Sequence, residues 1–514
     1  MQTLHTMGIV GAGAMGRGIA QIAAQAGLDV LLFDVNQAAA DAARQALAQT
    51  WEKLVAKGKM TEQTAQQALQ RLRVCSALQE MADAQLVVEA VVEKLQVKRD
   101  LFTQLEGIVS ADCILASNTS SLSITAIALP CKQPQRVVGW HFFNPVPLMK
   151  VVEVIDGLSS DPALIEALMA LTQRMGHTAV RARDMPGFIV NHAGRGMNIE
   201  GLKVAQESIA PFHVIDAIIR EQAGFRMGPF ELMDLTGLDV SHPVMESIFE
   251  QFYGEPRYRP SPITAVRQAG GLLGRKTGAG FYRYVEGKPV LPESASDAAP
   301  TPPAQAGLKV WVAPWHEVGH ARASSLFAAL GAQVQTGTQP PQDALLVLTP
   351  FGQDVATLVQ HHGLDARRTV ALDTLFGLEQ GKRRVLMASL GTGARWRDAA
   401  RALLAADGTP VSLINDSPGF VAQRIVANIV NVACDIAQQS IASASDIDLA
   451  VKLGLGYPGG GPLSLGQSLG ADLVLEVLHN MLLITGEPRY RASPWLRQRV
   501  QLGLPLTTPG NAPL

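Results

Sequence analysis

The sequence predicts a doubly wound α/β domain joined to an all-α domain, followed by a degenerate repeat of both. Three observations predict it. A glycine-rich turn joins an apolar run to a helix-like segment near residue 10. Short apolar runs after it alternate with helical patterns. The motif Asp184-Met185-Pro186-Gly187-Phe188-Ile189 returns as Asp416-Ser417-Pro418-Gly419-Phe420-Val421. At 514 residues the chain needs more than one core. A net charge of -2 with 17% charged residues gives no footprint for nucleic acid. Cys75, Cys113, Cys131 and Cys434 lie far apart, which argues against a disulfide framework or a metal cluster and fits a reducing compartment. No apolar stretch is long enough to span a bilayer and no basic leader is visible, so a cytoplasmic protein without a membrane partner is expected.

Met7 to Val10 is a short apolar run, and Gly11-Ala12-Gly13-Ala14-Met15-Gly16 follows it. Gly11 permits a tight turn, Gly13 lets backbone approach a pyrophosphate, and Gly16 lets the next helix pack on the sheet. The helix N-terminus then faces the negative charge. A glycine pattern of this kind is weak alone. Its context strengthens it: Val30 to Phe33 reads as a second strand, and Asp34 ends it about 20 residues past the glycines, where a carboxylate can accept from adenosine ribose hydroxyls. Asp34 can also be read as a surface turn residue. Val35-Asn36-Gln37 offers no arginine for a 2'-phosphate, which favours NAD over NADP.

Residues 38 to 72 read as helices broken at Lys57-Gly58-Lys59. Leu86 to Val92 is a buried-looking strand interrupted by Glu89 and followed by Glu93. Ile114-Leu115-Ala116 is another, ending in Ser117-Asn118-Thr119-Ser120-Ser121. Ligands gather at the carboxyl ends of parallel strands, so a hydroxyl there can bond a substrate oxygen. Ser123 reads as a helix cap.

Val137 to Asp156 is mostly apolar but carries His141 and Glu153. Buried ionisable groups are costly unless paired. A carboxylate on one imidazole nitrogen fixes the tautomer and stabilises the imidazolium, an arrangement suited to proton transfer. A histidine satisfied inside a core is the other reading. Asn144-Pro145-Val146-Pro147 forces an extended bend just after it.

Asp184 to Asn191 looks like a hinge into a helix, with Asn191 in its first turns. The expected organisation is an α/β domain over 1–185, a helical domain over 186–285 and a linker over 286–306. A truncated α/β domain over 307–410 and a second helical domain over 411–514 complete it. The second half has lost its chemistry: no glycine motif follows Val312. Val385 to Ser389 is the expected counterpart of Val137 to His141, with serine where His141 stood. Gln423 stands for Asn191.

The pieces GAGAMGRGIA, VVEAVVEKLQVKRDLF, SNTSSLSI, GWHFFNPVPLMKVVEVI and DMPGFIVN, in order through residues 1 to 283, resemble the NAD-dependent (S)-3-hydroxyacyl-CoA dehydrogenase family. The duplicated second half is similar to its long bacterial form, associated with 3-hydroxyadipyl-CoA oxidation in phenylacetate degradation. The resemblance implies His141 as catalytic base with Glu153 as its charge partner. It implies Ser120 and Asn191 at the substrate oxygens, Asp34 at the adenosine ribose, and Glu93 and Lys98 along the cofactor. It implies an acyl-CoA thioester partner, with 3-hydroxybutyryl-CoA or general short- and medium-chain substrates as alternatives. His192 departs from the arginine many relatives carry there. The coenzyme A contacts are not legible. The second half can complete the substrate cleft or replace a dimer contact. Two other readings compete: a β-hydroxyacid or 6-phosphogluconate type dehydrogenase with a lysine base, and a non-catalytic nucleotide-binding protein.

Overall fold

A computed structural model describes residues 4–291 and 307–510. The chain forms two compact units: Met1–His192 with Gln439–Leu455, and Ala193–Gln438 with Gly456–Leu514. The first unit holds an eight-stranded sheet of β1 (Thr6–Val10), β2 (Asp29–Phe33), β3 (Leu72–Val74), β4 (Leu86–Glu89), β5 (Ile114–Ser117), β6 (Val137–Phe142), β7 (Val151–Asp156) and β8 (Thr178–Arg183). The spatial order is β3-β2-β1-β4-β5-β6-β7-β8. Neighbours run parallel except β6 and β7. Helices cover both faces of such a sheet, which is why β4, β5 and β6 are buried at every position and read as mostly apolar runs, with Glu89, Ser117 and His141 the exceptions. The antiparallel step has a functional consequence. Its register sets His141 directly opposite Glu153, on the same face of the sheet.

The second unit carries a short hairpin, β9 (Arg283–Val285) with β10 (Lys288–Val290), and a second sheet. Its strands are β11 (Lys309–Val312), β12 (Gln333–Gln335), β13 (Leu345–Leu348), β14 (Thr369–Leu372), β15 (Arg384–Ala388) and β16 (Val411–Asn415), in the order β12-β11-β13-β14-β15-β16. The segment expected as a linker thus begins inside the hairpin, and residues 292–306 lie outside the described residues.

Strand directions correct the expected counterpart of His141. β14 and β15 pair antiparallel, and β15 and β16 parallel, as β6, β7 and β8 do. β8 and β16 each run into the repeated Asp-x-Pro-Gly turn. Val385 to Ser389 therefore matches the Glu153 strand, not the His141 strand. Followed across the registers, Val385 stands where Glu153 stands and Asp373 where His141 stands. Apolar strand runs carry no mark of register, so matching them by composition alone picked the neighbouring strand.

The helical repeats meet reciprocally. Asn428 Nδ2 donates to the Gly196 carbonyl at 3.0 Å. A Cβ on Gly196 would lie 2.8 Å from Ile429 Cα, so glycine is what allows the Arg195–Gln206 and Val421–Gln438 helices to touch. Gly196 and Asn428 are equivalent positions, at the same offset as Asp184 and Asp416. The Arg183 amide donates to Ile441 O at 2.8 Å, and the equivalent Asn415 amide donates to Ile209 O at 3.0 Å. A second sequence repeat, Glu255-Pro256-Arg257-Tyr258-Arg259 and Glu487-Pro488-Arg489-Tyr490-Arg491, forms a pair of matching 3-10 turns. Arg257 Nη2 donates to Arg491 O across that pair. Among the described residues no single helix is long and apolar enough to cross a membrane. Pro462–Leu469 and Ala471–Thr485 reach that composition only together, and they are bent by 93°.

Candidate active site

The glycine turn is built as its spacing requires. Gly11 has φ +106, and a Cβ there would sit 2.5 Å from Ala90 O. A Cβ on Gly16 would lie 1.8 Å from Gly11 O, so the helix starts hard against the strand. Around Gly13 a Cβ would meet nothing within 4 Å, which leaves open space at the N-terminus of the Ala14–Gln25 helix. Open space, a helix N-terminus and a bare backbone fit a dinucleotide pyrophosphate. Asp34 ties the loop from the next strand. Its Oδ2 accepts from Ala12 N at 2.8 Å and its Oδ1 from Asn36 N at 2.9 Å. Each oxygen keeps a lone pair for a ribose hydroxyl.

His141 and Glu153 form a buried pair. His141 is 4% exposed and Glu153 is fully buried. Nδ1 lies 2.6 Å from Glu153 Oε2. The other carboxylate oxygen, Oε1, accepts from the backbone amides of Ile189 and Val190, each at 2.9 Å. Three donors satisfy an ionised carboxylate, so Nδ1 carries the proton and Nε2 keeps its lone pair. The hinge pays for this arrangement in backbone strain: Phe188 sits at φ +47, unusual for a bulky side chain. The Phe188 ring centroid lies 5.9 Å from that of His141, and Phe143 lies at 4.4 Å.

The polar strand ends converge on Glu93. It accepts from Thr119 Oγ1 at 2.6 Å, the Ser120 amide at 3.0 Å and Ser121 Oγ at 3.1 Å. Burial would raise its pKa, but Lys98 and these donors hold it below the usual carboxylate range. Lys98 is itself buried, 2.6 Å from Glu89 and 3.1 Å from Glu93. Lys98 thus sits beneath Glu93, whose side chain is 37% exposed. Asn191 Nδ2 donates to the Ser120 carbonyl at 3.3 Å, so the expected substrate-binding residues are neighbours.

Sequence reasoning missed several supports. Glu89 is fully buried and accepts from Ser117 Oγ at 2.6 Å and from Val91 N at 2.8 Å as well as from Lys98. Its signal was a lone carboxylate inside an apolar strand. Asn118 Oδ1 accepts the Phe142 amide at 2.8 Å, next to His141. Asp184 accepts from Ser123 Oγ and the amides of Ile124 and Thr125, while Ser123 caps the following helix as its sequence position predicts. Beyond the bend, a groove of about 730 Å³ is lined by Arg17, Thr50, Lys53, Lys59, Asn144 and Leu148. Its cations are scattered in sequence, so no compact cluster announced them.

At the second sheet, Asp373 is fully buried and bound only by neutral donors: Gln222 Nε2 at 3.1 Å, Gln423 Nε2 at 2.9 Å and the Leu375 amide at 3.1 Å. Burial pushes its pKa up to about 6. The folded value lies above that of an unfolded aspartate, about 3.9. Folding therefore takes up a proton between those values, and the associated stability is full below about pH 4 and lost as pH rises through 6. Asp373→Asn should raise stability at pH 8 by about 2 kcal/mol and change it little at pH 4. The added amide can donate to Gln222 Oε1, which has no hydrogen-bond partner among the described residues. Denaturant unfolding at both pH values checks this, and an equal effect at both would count against it.

An open glycine cradle, an aspartate at the end of the second strand and a buried imidazole–carboxylate pair in one unit are the parts a nicotinamide-dependent dehydrogenase needs. The comparisons with known proteins agree. The model of the 3-hydroxyacyl-CoA dehydrogenase NAD binding domain matches residues 6–185, and that of the family's C-terminal domain matches twice, at 187–284 and 419–510. The chain belongs to the 3-hydroxyacyl-CoA dehydrogenase family, uses NAD, and oxidises a 3-hydroxyacyl-CoA to the 3-oxo form. It is 36% identical over 502 residues, 98% of both chains, to the 3-hydroxyadipyl-CoA dehydrogenase of Escherichia coli K12. It is 42% identical over 277 residues to a probable 3-hydroxybutyryl-CoA dehydrogenase of Deinococcus radiodurans, covering 54% of this chain and 99% of that one. A solved 3-hydroxybutyryl-CoA dehydrogenase from Escherichia coli K12 superposes with a TM-score of 0.83 at 35% identity, over 98% of this chain and 99% of that one.

Proposed function

We propose that this enzyme acts on short- and medium-chain (S)-3-hydroxyacyl-CoA thioesters, with His141 as the base. The observation that carries the reading is the 2.6 Å contact of His141 Nδ1 with a fully buried Glu153, which leaves Nε2 to accept the C3 hydroxyl proton. NAD, when bound, supplies the hydride acceptor. The chain's own residues supply position and proton transfer. Glu153 offsets the charge that develops on the imidazole, and its two amide donors keep it from turning away. Ser120 and Asn191 orient the substrate oxygens, and Asp34 and Glu93 lie along the cofactor. Buried beneath Glu93, Lys98 serves the cofactor side by fixing that carboxylate. The Arg17, Lys53 and Lys59 groove suits the phosphates of coenzyme A.

The full-length likeness to a 3-hydroxyadipyl-CoA dehydrogenase favours a second reading, a dicarboxylic acyl chain of the phenylacetate route. The 3-hydroxybutyryl-CoA dehydrogenases match the first half as strongly. NADH formation with 3-hydroxybutyryl-CoA and 3-hydroxyadipyl-CoA separates them. Comparable kcat/KM for both is the expected result, and a preference above about a hundredfold for the adipyl thioester would establish the narrower reading. In the same assay Lys53→Glu should raise the KM for both thioesters and leave that for NAD unchanged. We place the second repeat where a dimeric relative would have its partner, because Gly196 meets its own equivalent, Asn428, as positions on a two-fold axis do. The buried, unlinked cysteines suit a cytoplasmic setting.

A further inference from the structure

The Ala444–Leu455 helix belongs by sequence to the second helical repeat, yet it packs in the same compact unit as the first sheet. Near its end is Gly454, half-buried. A Cβ there would fall 3.0 Å from Val190 Cγ1, 3.2 Å from Val190 Cγ2 and 3.5 Å from Val151 Cγ1. Val190 is one of the two residues whose amides hold Glu153 Oε1, and Val151 begins the strand that carries Glu153. The helix is held in place on this surface: the Arg183 amide donates to Ile441 O, and Arg181 lies against Asp446.

The equivalent position in the first repeat shows what a side chain does there. Gln222 occupies it, at the same offset as Gly224 and Gly456. Gln222 reaches into the second sheet and bonds Asp373, the residue at the His141 position. Together Gln222 and Gln423 fill the place where the second sheet would need a free base. Glycine is a poor helix former, and at position 454 it leaves the matching place in the first sheet clear.

We propose that Gly454 is a positioning residue for the dehydrogenase reaction: the second repeat supplies a helix whose bare backbone seats Val190 and so holds Glu153 against His141. The inference rests on the reading of His141 and Glu153 as the proton-transfer pair. A Cβ at 454 requires the Val190 methyls to give by a few tenths of an ångström, and on this proposal the shift carries to the Val190 amide, lengthens its contact to Glu153 and misaligns the carboxylate on Nδ1. The imidazolium is then less well stabilised.

The test compares Gly454→Ala, Gly454→Val and Gly454→Val with Val190→Ala in the full-length enzyme, alongside His141→Ala. For Gly454→Val, kcat is expected to fall at least tenfold with the KM for NAD unchanged, and the acid limb of the kcat/KM profile should move to lower pH. Gly454→Ala should show the same pattern at a few-fold size and serves if the larger variant does not accumulate folded, as judged by its unfolding midpoint. Shortening Val190 in the double variant should restore most of kcat and the position of the limb. Wild-type kcat and pH profile in the Gly454 variants, or a loss that the double variant does not recover, would overturn the inference. If His141→Ala itself keeps its turnover, the reading of the pair has failed instead, whatever the Gly454 variants do.

Discussion

Replacing His141 by alanine should lower kcat about a thousandfold, within the usual range for loss of a general base, while NAD binding stays at its wild-type strength. The two effects separate because the residues responsible do. The proposed cofactor cradle consists of Gly11, Gly13, Gly16 and Asp34, tied by contacts to backbone that do not involve the histidine. Nε2 of His141 is the lone pair left over once Glu153 has engaged Nδ1. Removing the ring also leaves Glu153 buried with one oxygen lacking its partner, so some loss of stability is expected beside the loss of turnover. Initial-rate kinetics with NAD titration checks both halves. Turnover within tenfold of wild type would mean that another group takes the proton, and a lysine-based mechanism would then return to consideration.

Arg424→Met should destabilise the second unit by about 3–5 kcal/mol, the usual cost of breaking a buried ion pair from one side. Arg424 is 2% exposed and donates to Glu200 and Glu207, to Ser417 Oγ and to Tyr490. Burial works against its charge, yet Tyr490 and the two carboxylates keep its pKa above the ordinary arginine value. Without it the fully buried Glu200 keeps only Tyr490 and a long approach from Arg489 at 3.9 Å. Denaturant unfolding should show the loss, and Glu200→Gln in the same chain should recover part of it. A loss below about 1 kcal/mol would contradict the role given to the network. By the same offset as Asp184 and Asp416, His192 occupies Arg424's position in the first repeat.

The parts legible in the sequence were those fixed by local chemistry. Gly11, Gly13 and Gly16 are required by backbone approach within a few residues, and their spacing announces it. His141 and Glu153 stood out because ionisable groups in apolar strands need partners. The hinge at Pro186 and Gly187 announced a change of element, though not that its amides bind Glu153. What could not be read depends on contacts between distant segments. The match of Asp373 to His141 follows from strand direction, which no apolar run records. The place of the Ala444–Leu455 helix beside the first sheet arises because two repeats meet reciprocally, and a linear reading assigned it wholly to the second helical domain. Lys98 was expected along the cofactor; that its ammonium is buried between Glu89 and Glu93 could not be read from the sequence.

A ternary complex with NAD and an unreactive 3-hydroxyacyl-CoA analogue tests the proton-transfer assignment most directly. His141 Nε2 should lie about 3 Å from the C3 oxygen, directly or through one water, with Nδ1 still on Glu153. A ring held well away from that oxygen with no bridging water, or a different base in its place, would contradict the assignment.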